Sequence, residues 1–391
     1  MLSGTPRYCA RYCGRARLSR FARQTVLWGQ IVAVFCVACH GGFEPSSTGA
    51  RTLWRAEGKG FGLPAFDGSQ VYFSGWKHEL IAVDKMTGAI RWTQVAPALF
   101  DVTRGRSVIV AANVVVMGDY DVYGFDVRTG ERRWTFRPSE GFAPGVFDLA
   151  TDCTTIYAGS PASRVYALDA VSGTAKWTVS VATDSTAQAY SPVFDRGFVY
   201  VCLKHETIPT TGGVVALDAG TGAIRWSTVF PAPQPYGESG CAFKVAVAND
   251  VAVGTSWDGH VYAMDRLTGE LRWSVSQLPG ALSDLRPVAA HGNIIVVGSL
   301  SGIVVALDAT SGNELWRATP NLGSTFFGLT IDESAVYSNQ SDRILSLDLA
   351  TGNVNWVAGN ENRDGEFFYV PAPDGDRLYA GGEHGLYALR K

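Results

Sequence analysis

Charged side chains are scarce in this chain of 391 residues, at 18% of the total, and no cluster of Lys and Arg interrupts its body. The formal net charge is −3, yet six arginines (Arg7, Arg11, Arg15, Arg17, Arg20 and Arg23) precede the first acidic residue, Glu44. Without that leader the remainder carries −9. An acidic body without basic clusters lacks the electrostatic footprint that a phosphate backbone requires, so nucleic acid is excluded as a partner. No apolar run reaches the roughly 20 residues that cross a bilayer as a helix. The six histidines show no metal-ligand spacing, and there is no H-E-x-x-H, phosphate loop, G-x-S-x-G elbow or dinucleotide fingerprint after a strand. Ser74-Gly75-Trp76-Lys77 matches S-x-x-K, but its partner motifs are missing, and a match of this length arises by chance in a long chain. No cofactor, no metal and no catalytic residue is expected.

What is present is apolar and turn-rich: 46% hydrophobic residues, 44 Gly and 11 Trp, which exclude both disorder and a long coiled coil. The arginine-rich start is followed by Val26 to Ala38, thirteen mostly apolar residues that are too short for an anchor and read as the core of an export signal over residues 1–38. Ala38-Cys39 then places a small residue before a cysteine. Cys36-x-x-Cys39-His40 also spells the c-type haem attachment pattern. Haem needs a packed domain of its own, and barely a dozen residues separate His40 from the first repeat strand, so coincidence within the signal is the preferred reading. Cys9, Cys13 and Cys36 would leave with the signal. Cys153, Cys202 and Cys241 remain besides Cys39, and either Cys202 pairs with Cys241 or all three are small buried apolar side chains.

Self-similarity settles the architecture. The segments IAVDKMTGAIRW, YGFDVRTGERRW, YALDAVSGTAKW, VALDAGTGAIRW, YAMDRLTGELRW, VALDATSGNELW and LSLDLATGNVNW align without gaps. Their aspartates (Asp84, Asp126, Asp169, Asp218, Asp265, Asp308 and Asp348) recur every 40 to 49 residues. Each is followed four positions on by Gly and eight on by Trp: Trp92, Trp134, Trp177, Trp226, Trp273, Trp316 and Trp356. Asp with Thr/Ser-Gly predicts a turn whose carboxylate accepts backbone N–H groups while Gly takes positive φ. Two residues before each Asp the side chain is always small, leaving room for the Trp. Two further short strands precede each such hairpin, as in Ser191–Leu203, and four antiparallel strands per repeat make a propeller blade. The chain finishes with an eighth third-strand, Leu386–Lys391, that has Arg390 at the Asp position and no Trp strand after it. Trp54 stands unpartnered at the start. The expectation is an all-β, eight-bladed β-propeller with four-stranded antiparallel blades over residues 51–391, closed by the N-terminal strand completing the last blade. Residues 39–50 would be a flexible tether.

The pattern Ala-x-Asp-x-x-Thr-Gly-x-x-x-Trp resembles the quinoprotein (PQQ-type) propeller repeat over about residues 51–391. With the signal, it is most similar to the outer-membrane protein assembly factor B (BamB) family. The Cys36-Val37-Ala38-Cys39 stretch also resembles a bacterial lipoprotein cleavage site, except that Cys36 stands where such sites usually carry Leu. The resemblance implies a non-catalytic scaffold, a monomeric ring lipidated at Cys39 on the periplasmic face of the outer membrane. It would assist β-barrel assembly by binding the barrel-assembly membrane protein and its periplasmic domains. The alternative is a quinone-dependent dehydrogenase or a cofactor-binding sensor. Members of that enzyme family carry an adjacent Cys pair and long insertions roofing the cofactor, and this sequence has neither.

The longest repeat steps come from insertions at Lys204–Gly213 and Phe230–Gly240, the first between second and third strands, the second between blades. Both open on one face, as does the segment Gly280–Arg286. Tyr236, Leu282, Asp284, Leu285 and Arg286 on these loops are the candidate partner-binding residues. Leu282-Ser283-Asp284 resembles a stretch through which BamB-like proteins are thought to bind, one blade later than expected; ordinary solvated loops are the alternative.

Overall fold

The computed structural model describes residues 51–97, 107–138, 148–182, 187–205, 212–231, 240–256, 259–276, 285–299, 301–320, 326–340, 342–359 and 368–391. These form eight four-stranded antiparallel sheets. Seven are built from consecutive strands, which we call A to D from the axis outward. The eighth takes its D strand, Thr52–Ala56, from the other end of the chain, where it pairs with the C strand Leu386–Arg390. A strands of neighbouring blades touch all the way round, including the last blade and the first, so the ring is closed.

The sequence pattern explains which strand sits where. B and C strands are buried on both faces because each blade is sandwiched between two others: Val71–Phe73 and Leu80–Val83 are all at or near zero exposure. D strands alternate, as in Ile90–Val95, where Trp92 points inward and Ile90, Thr93 and Val95 face water. The apolar core is accordingly divided into eight clusters, one per blade junction. Such a molecule is a closed repeat array in which each unit depends on its neighbours.

The small residue two before each Asp lies directly opposite Trp on the paired D strand, as in Ala82 with Trp92, Ala216 with Trp226 and Ser346 with Trp356. A Cβ on Gly124 would sink into the ring of Trp134. Cys202 on the B strand of blade 4 and Cys241 on the A strand of blade 5 are joined by a disulfide across a blade junction, and both are fully buried.

Two expectations are corrected. The Lys204–Gly213 insertion is partly strand: the B strand runs Phe198–His205 and the C strand begins at Gly212, making blade 4 taller, not merely more looped. Leu285 and Arg286 belong to the A strand Leu285–His291, where Leu285 pairs with Ser299, and are not in a loop. Pro287 is accommodated because the register shifts between Leu285 and Val288, and a bulge tolerates a residue without an N–H.

Candidate functional site

The A–B and C–D turns emerge on one face of the ring, the B–C and D–A connections on the other. On the C–D face the repeat aspartates do structural work. In all seven, Oδ1 accepts the N–H groups two and three residues on, at 2.8 to 3.1 Å. The Gly four on donates to the Asp carbonyl from φ between +70° and +74°. That Gly is required twice over, by its backbone and because a Cβ would lie within 2.7 Å of the Trp of the preceding blade. The same Trp donates Nε1–H to the carbonyl after the Asp: Trp54 to Lys85, Trp92 to Val127, and so on to Trp316 with Leu349, at 2.9 to 3.2 Å. Asp turn, Gly and Trp thus form a lock between blades, repeated at seven junctions.

Cations seven residues after Asp complete five of the turns: Arg91, Arg133, Lys176, Arg225 and Arg272. The Arg225 guanidinium and the Thr221 hydroxyl hold the Asp218 carboxyl at about 2, and Arg272 does the same for Asp265 against partial burial. At the remaining junction, blade 8 has Arg390 in place of Asp, and Trp356 is covered instead by the Arg51 guanidinium, 4.6 Å above the ring.

On the axis, Asp148, Ser191 and Lys244 stand at the inner strands of blades 3, 4 and 5. The Ser191 hydroxyl donates to Asp148 at 2.5 Å, and Ser191 adopts φ of +38° at the bulge that places it there. Burial raises the Asp148 carboxyl above its ordinary range, opposed by Ser191 and by the Lys244 ammonium. A quinone cofactor with calcium would need six to eight oxygen ligands. Among the described residues no group of three or more His, Cys, Asp or Glu is placed to hold a metal ion, and Lys244 beside the axial carboxylate opposes a divalent cation. Of the S-x-x-K match, Ser74 donates its hydroxyl to the Phe61 carbonyl in the core while Lys77 faces solvent.

Of the partner candidates, Tyr236, Leu282 and Asp284 lie outside the described residues, as do Cys39 and the haem-like pattern. Leu285 and Arg286 sit where their A strand meets the B–C/D–A face. Sequence reasoning missed a buried pair on that face: His78 Nδ1 lies 2.6 Å from Asp119 Oδ2, joining the B–C loops of blades 1 and 2. Arg266, in the turn after Asp265, stacks over Phe198, while its carbonyl accepts Trp226 and Tyr200.

The family model described as outer membrane protein assembly factor BamB matches residues 41–235 and again 206–391, together nearly the whole chain. The chain belongs to that BamB family. Among curated proteins, the BamB of Yersinia pestis is 31% identical over 256 residues, covering 60% of this chain and 61% of that protein. A polyvinylalcohol dehydrogenase of Sphingopyxis sp. (strain 113P3) is 28% identical over 323 residues, 60% of this chain and 49% of the enzyme. The crystal structure of BamB from Moraxella catarrhalis shares the fold, with a TM-score of 0.59 at 23% identity, over 72% of this chain and 80% of that one. The chain thus spans about half to three-fifths of these two curated relatives, one an assembly factor and the other an enzyme.

Proposed function

We propose that this chain is a non-catalytic scaffold in the assembly of outer-membrane β-barrel proteins, acting as a monomeric ring that binds the barrel-assembly membrane protein and its periplasmic domains. Residues 1–38 serve as the export signal, Cys39 carries lipid, residues 39–50 tether, and the ring at 51–391 stands on the periplasmic face of the outer membrane. The observation that carries the reading is the commitment of all seven repeat carboxylates to turns, in a chain of the BamB family. In each turn Oδ1 accepts two backbone N–H groups, so these carboxylates serve the fold. The docking surface we assign is the B–C/D–A face, with Tyr236, Leu282, Asp284, Leu285 and Arg286 as its candidates.

The test is co-purification from full-length protein extracted in mild detergent. Asp284→Arg is expected to reduce recovery of the barrel-assembly protein severalfold at unchanged Tm. Arg128→Glu, on an exposed turn of the opposite face, is the matched control and is expected to change nothing. Cys39→Ser is expected to remove lipid labelling and release the protein to the soluble fraction. A haem-positive band that requires Cys36 and Cys39 would replace the anchor with a cytochrome.

The polyvinylalcohol dehydrogenase relative favours a second reading, a quinone-dependent enzyme or sensor. That reading predicts that quinone with calcium raises Tm by mass action while both charge reversals leave co-purification untouched.

A further inference from the structure

The leading segment joins the ring on its C–D face. Arg51 donates to the Arg390 carbonyl at 3.5 Å and lies 4.6 Å over Trp356, beside the position where the other blades carry their turn aspartate. The D strand Thr52–Ala56 then runs away from that face until Ala56 pairs with Leu386, and only there does the chain cross to the first A strand, Phe61–Phe66. Cys39 stands twelve positions before Arg51, a reach of about 40 Å at full extension. A path round the rim to the opposite face would use about 20 Å of that reach on the height of the strands alone. An attachment at Cys39 therefore holds the C–D face nearest to whatever it is attached to.

That face also carries apolar side chains the fold does not ask for. The residue two after each repeat Asp contributes its N–H to the carboxylate, as Met86, Val171 and Leu267 do at 2.9 to 3.1 Å. Nothing in that bond requires a large side chain, and the same position is Gly220, Thr310 or Ala350 in other blades. Yet Met86 is 65% exposed at its turn tip, and Val171 and Leu267 are each 56% exposed. Ile90, Ile224 and Leu271 add exposed apolar surface where their D strands begin, close behind the tips. Beside them Arg91, Arg225 and Arg272 keep more than half of their side chains exposed while pairing with the turn aspartates. Apolar tips backed by long cationic stems suit the boundary between water and acyl chains. Exposed Glu131, Glu270 and Asp376 offset those cations, so the face does not select anionic headgroups.

We infer that the C–D face rests on a zwitterionic lipid surface, with Met86, Val171 and Leu267 entering its interfacial layer, and that the B–C/D–A face is thereby turned away from the bilayer. This rests on the lipid anchor at Cys39 in the reading above and adds an orientation to it. A protein docking on the B–C/D–A face then meets the ring a full strand height below the membrane.

The test uses the full lipidated chain attached to vesicles of radiolabelled phosphatidylcholine, with a photoreactive benzophenone side chain placed at Val171, Leu267 or Val229 in turn. Val229 is the counterpart, 68% exposed at the end of its D strand on the opposite side. Positions 171 and 267 are expected to capture lipid severalfold more than position 229. In a second arm the probe stands at Ile224 in Met86→Ser/Val171→Ser/Leu267→Ser, which is expected to stay attached with the parent's Tm while lipid capture falls severalfold. Attachment with equal or greater capture from position 229 would overturn the orientation and leave the anchor standing. Unchanged capture in the Ser variant would overturn the apolar contact, and capture of protein in place of lipid at 171 and 267 would mean that a second copy covers this face. A parent chain that does not attach at all removes the anchor at Cys39, and the orientation with it.

Discussion

The two faces of the ring are made by the same blades under different constraints. On the C–D face each junction repeats one set of contacts, an Asp-capped turn, a Gly in left-handed backbone and a Trp from the neighbour, because the turn is at once a hairpin and an interface. On the B–C/D–A face the side-chain chemistry changes from blade to blade: a buried His78–Asp119 pair at blades 1 and 2, an Arg137–Asp121 pair on the outside of blade 2, a Ser163 hydroxyl donating to the Ala187 carbonyl between blades 3 and 4. One face is fixed by the need to close a circle, which leaves the other free to carry recognition.

Breaking the repeated face should be costly in graded steps. Deleting Arg51 to Trp54 removes most of the strand that completes the last blade, together with the lock on Gly88, and is expected to leave an open sheet edge that aggregates; a deletion that melts like the parent as a monomer would mean closure by other means. Trp226→Ala should lower stability by roughly 3 to 5 kcal/mol in denaturant unfolding, since it empties a junction and removes one of the two donors to the Arg266 carbonyl, whereas Trp28→Ala should leave the mature ring untouched.

Acid should act on the same turns. Asp126 is held at about 2 by the Thr129 and Arg128 N–H groups and by Arg133, against burial, and Asp218 and Asp265 likewise titrate at about 2, all below the ordinary 3.8. A carboxyl depressed in the folded state contributes stability that is present above its unfolded pKa and lost as pH falls through the folded one. The ring should therefore weaken between about pH 4 and pH 2, and Asp218→Asn should flatten that dependence slightly. An unchanged acid profile in a triple Asn variant at Asp126, Asp218 and Asp265 would show that the turns are held by backbone alone. Smallest of all, Asp284→Arg and Arg128→Glu should leave Tm within experimental error and differ only in co-purification.

Much of the ring was legible because its determinants are local. Asp, Gly and Trp recur within eight residues of one another, so the parts of the lock are written in every repeat although each Trp closes on the turn of the next blade, 31 to 42 positions on, and Trp54 with Arg390 located the closing blade. The features that escaped are those made between distant residues. His78 and Asp119 are 41 positions apart on different blades, with no motif linking them. Lys59 pairs with Glu383 where the first blade meets the last, and the two are neighbours only once the ring is shut. Gly280–Arg286 read as a loop between blades, yet its last two residues open the A strand, which bulges before Val288, as innermost strands also do at Ser191-Pro192 and Pro64. The Lys204–Gly213 insertion read as loop because its middle is rich in Thr and Gly, while its ends continue the ladder Lys204 with Gly212.

The borrowed strand of the last blade also sets an order in time. Seven blades can form from segments that leave the ribosome together, but Thr52–Ala56 must wait for Leu386–Arg390, and Arg51 bonds Arg390 across 339 positions. Synthesis runs from the first partner to the last, so one unpaired strand is carried throughout. Closure then reads out length: a chain that stops early in any blade leaves Trp54 without a sheet, and an interrupted product is distinguished from a finished one by that exposed edge.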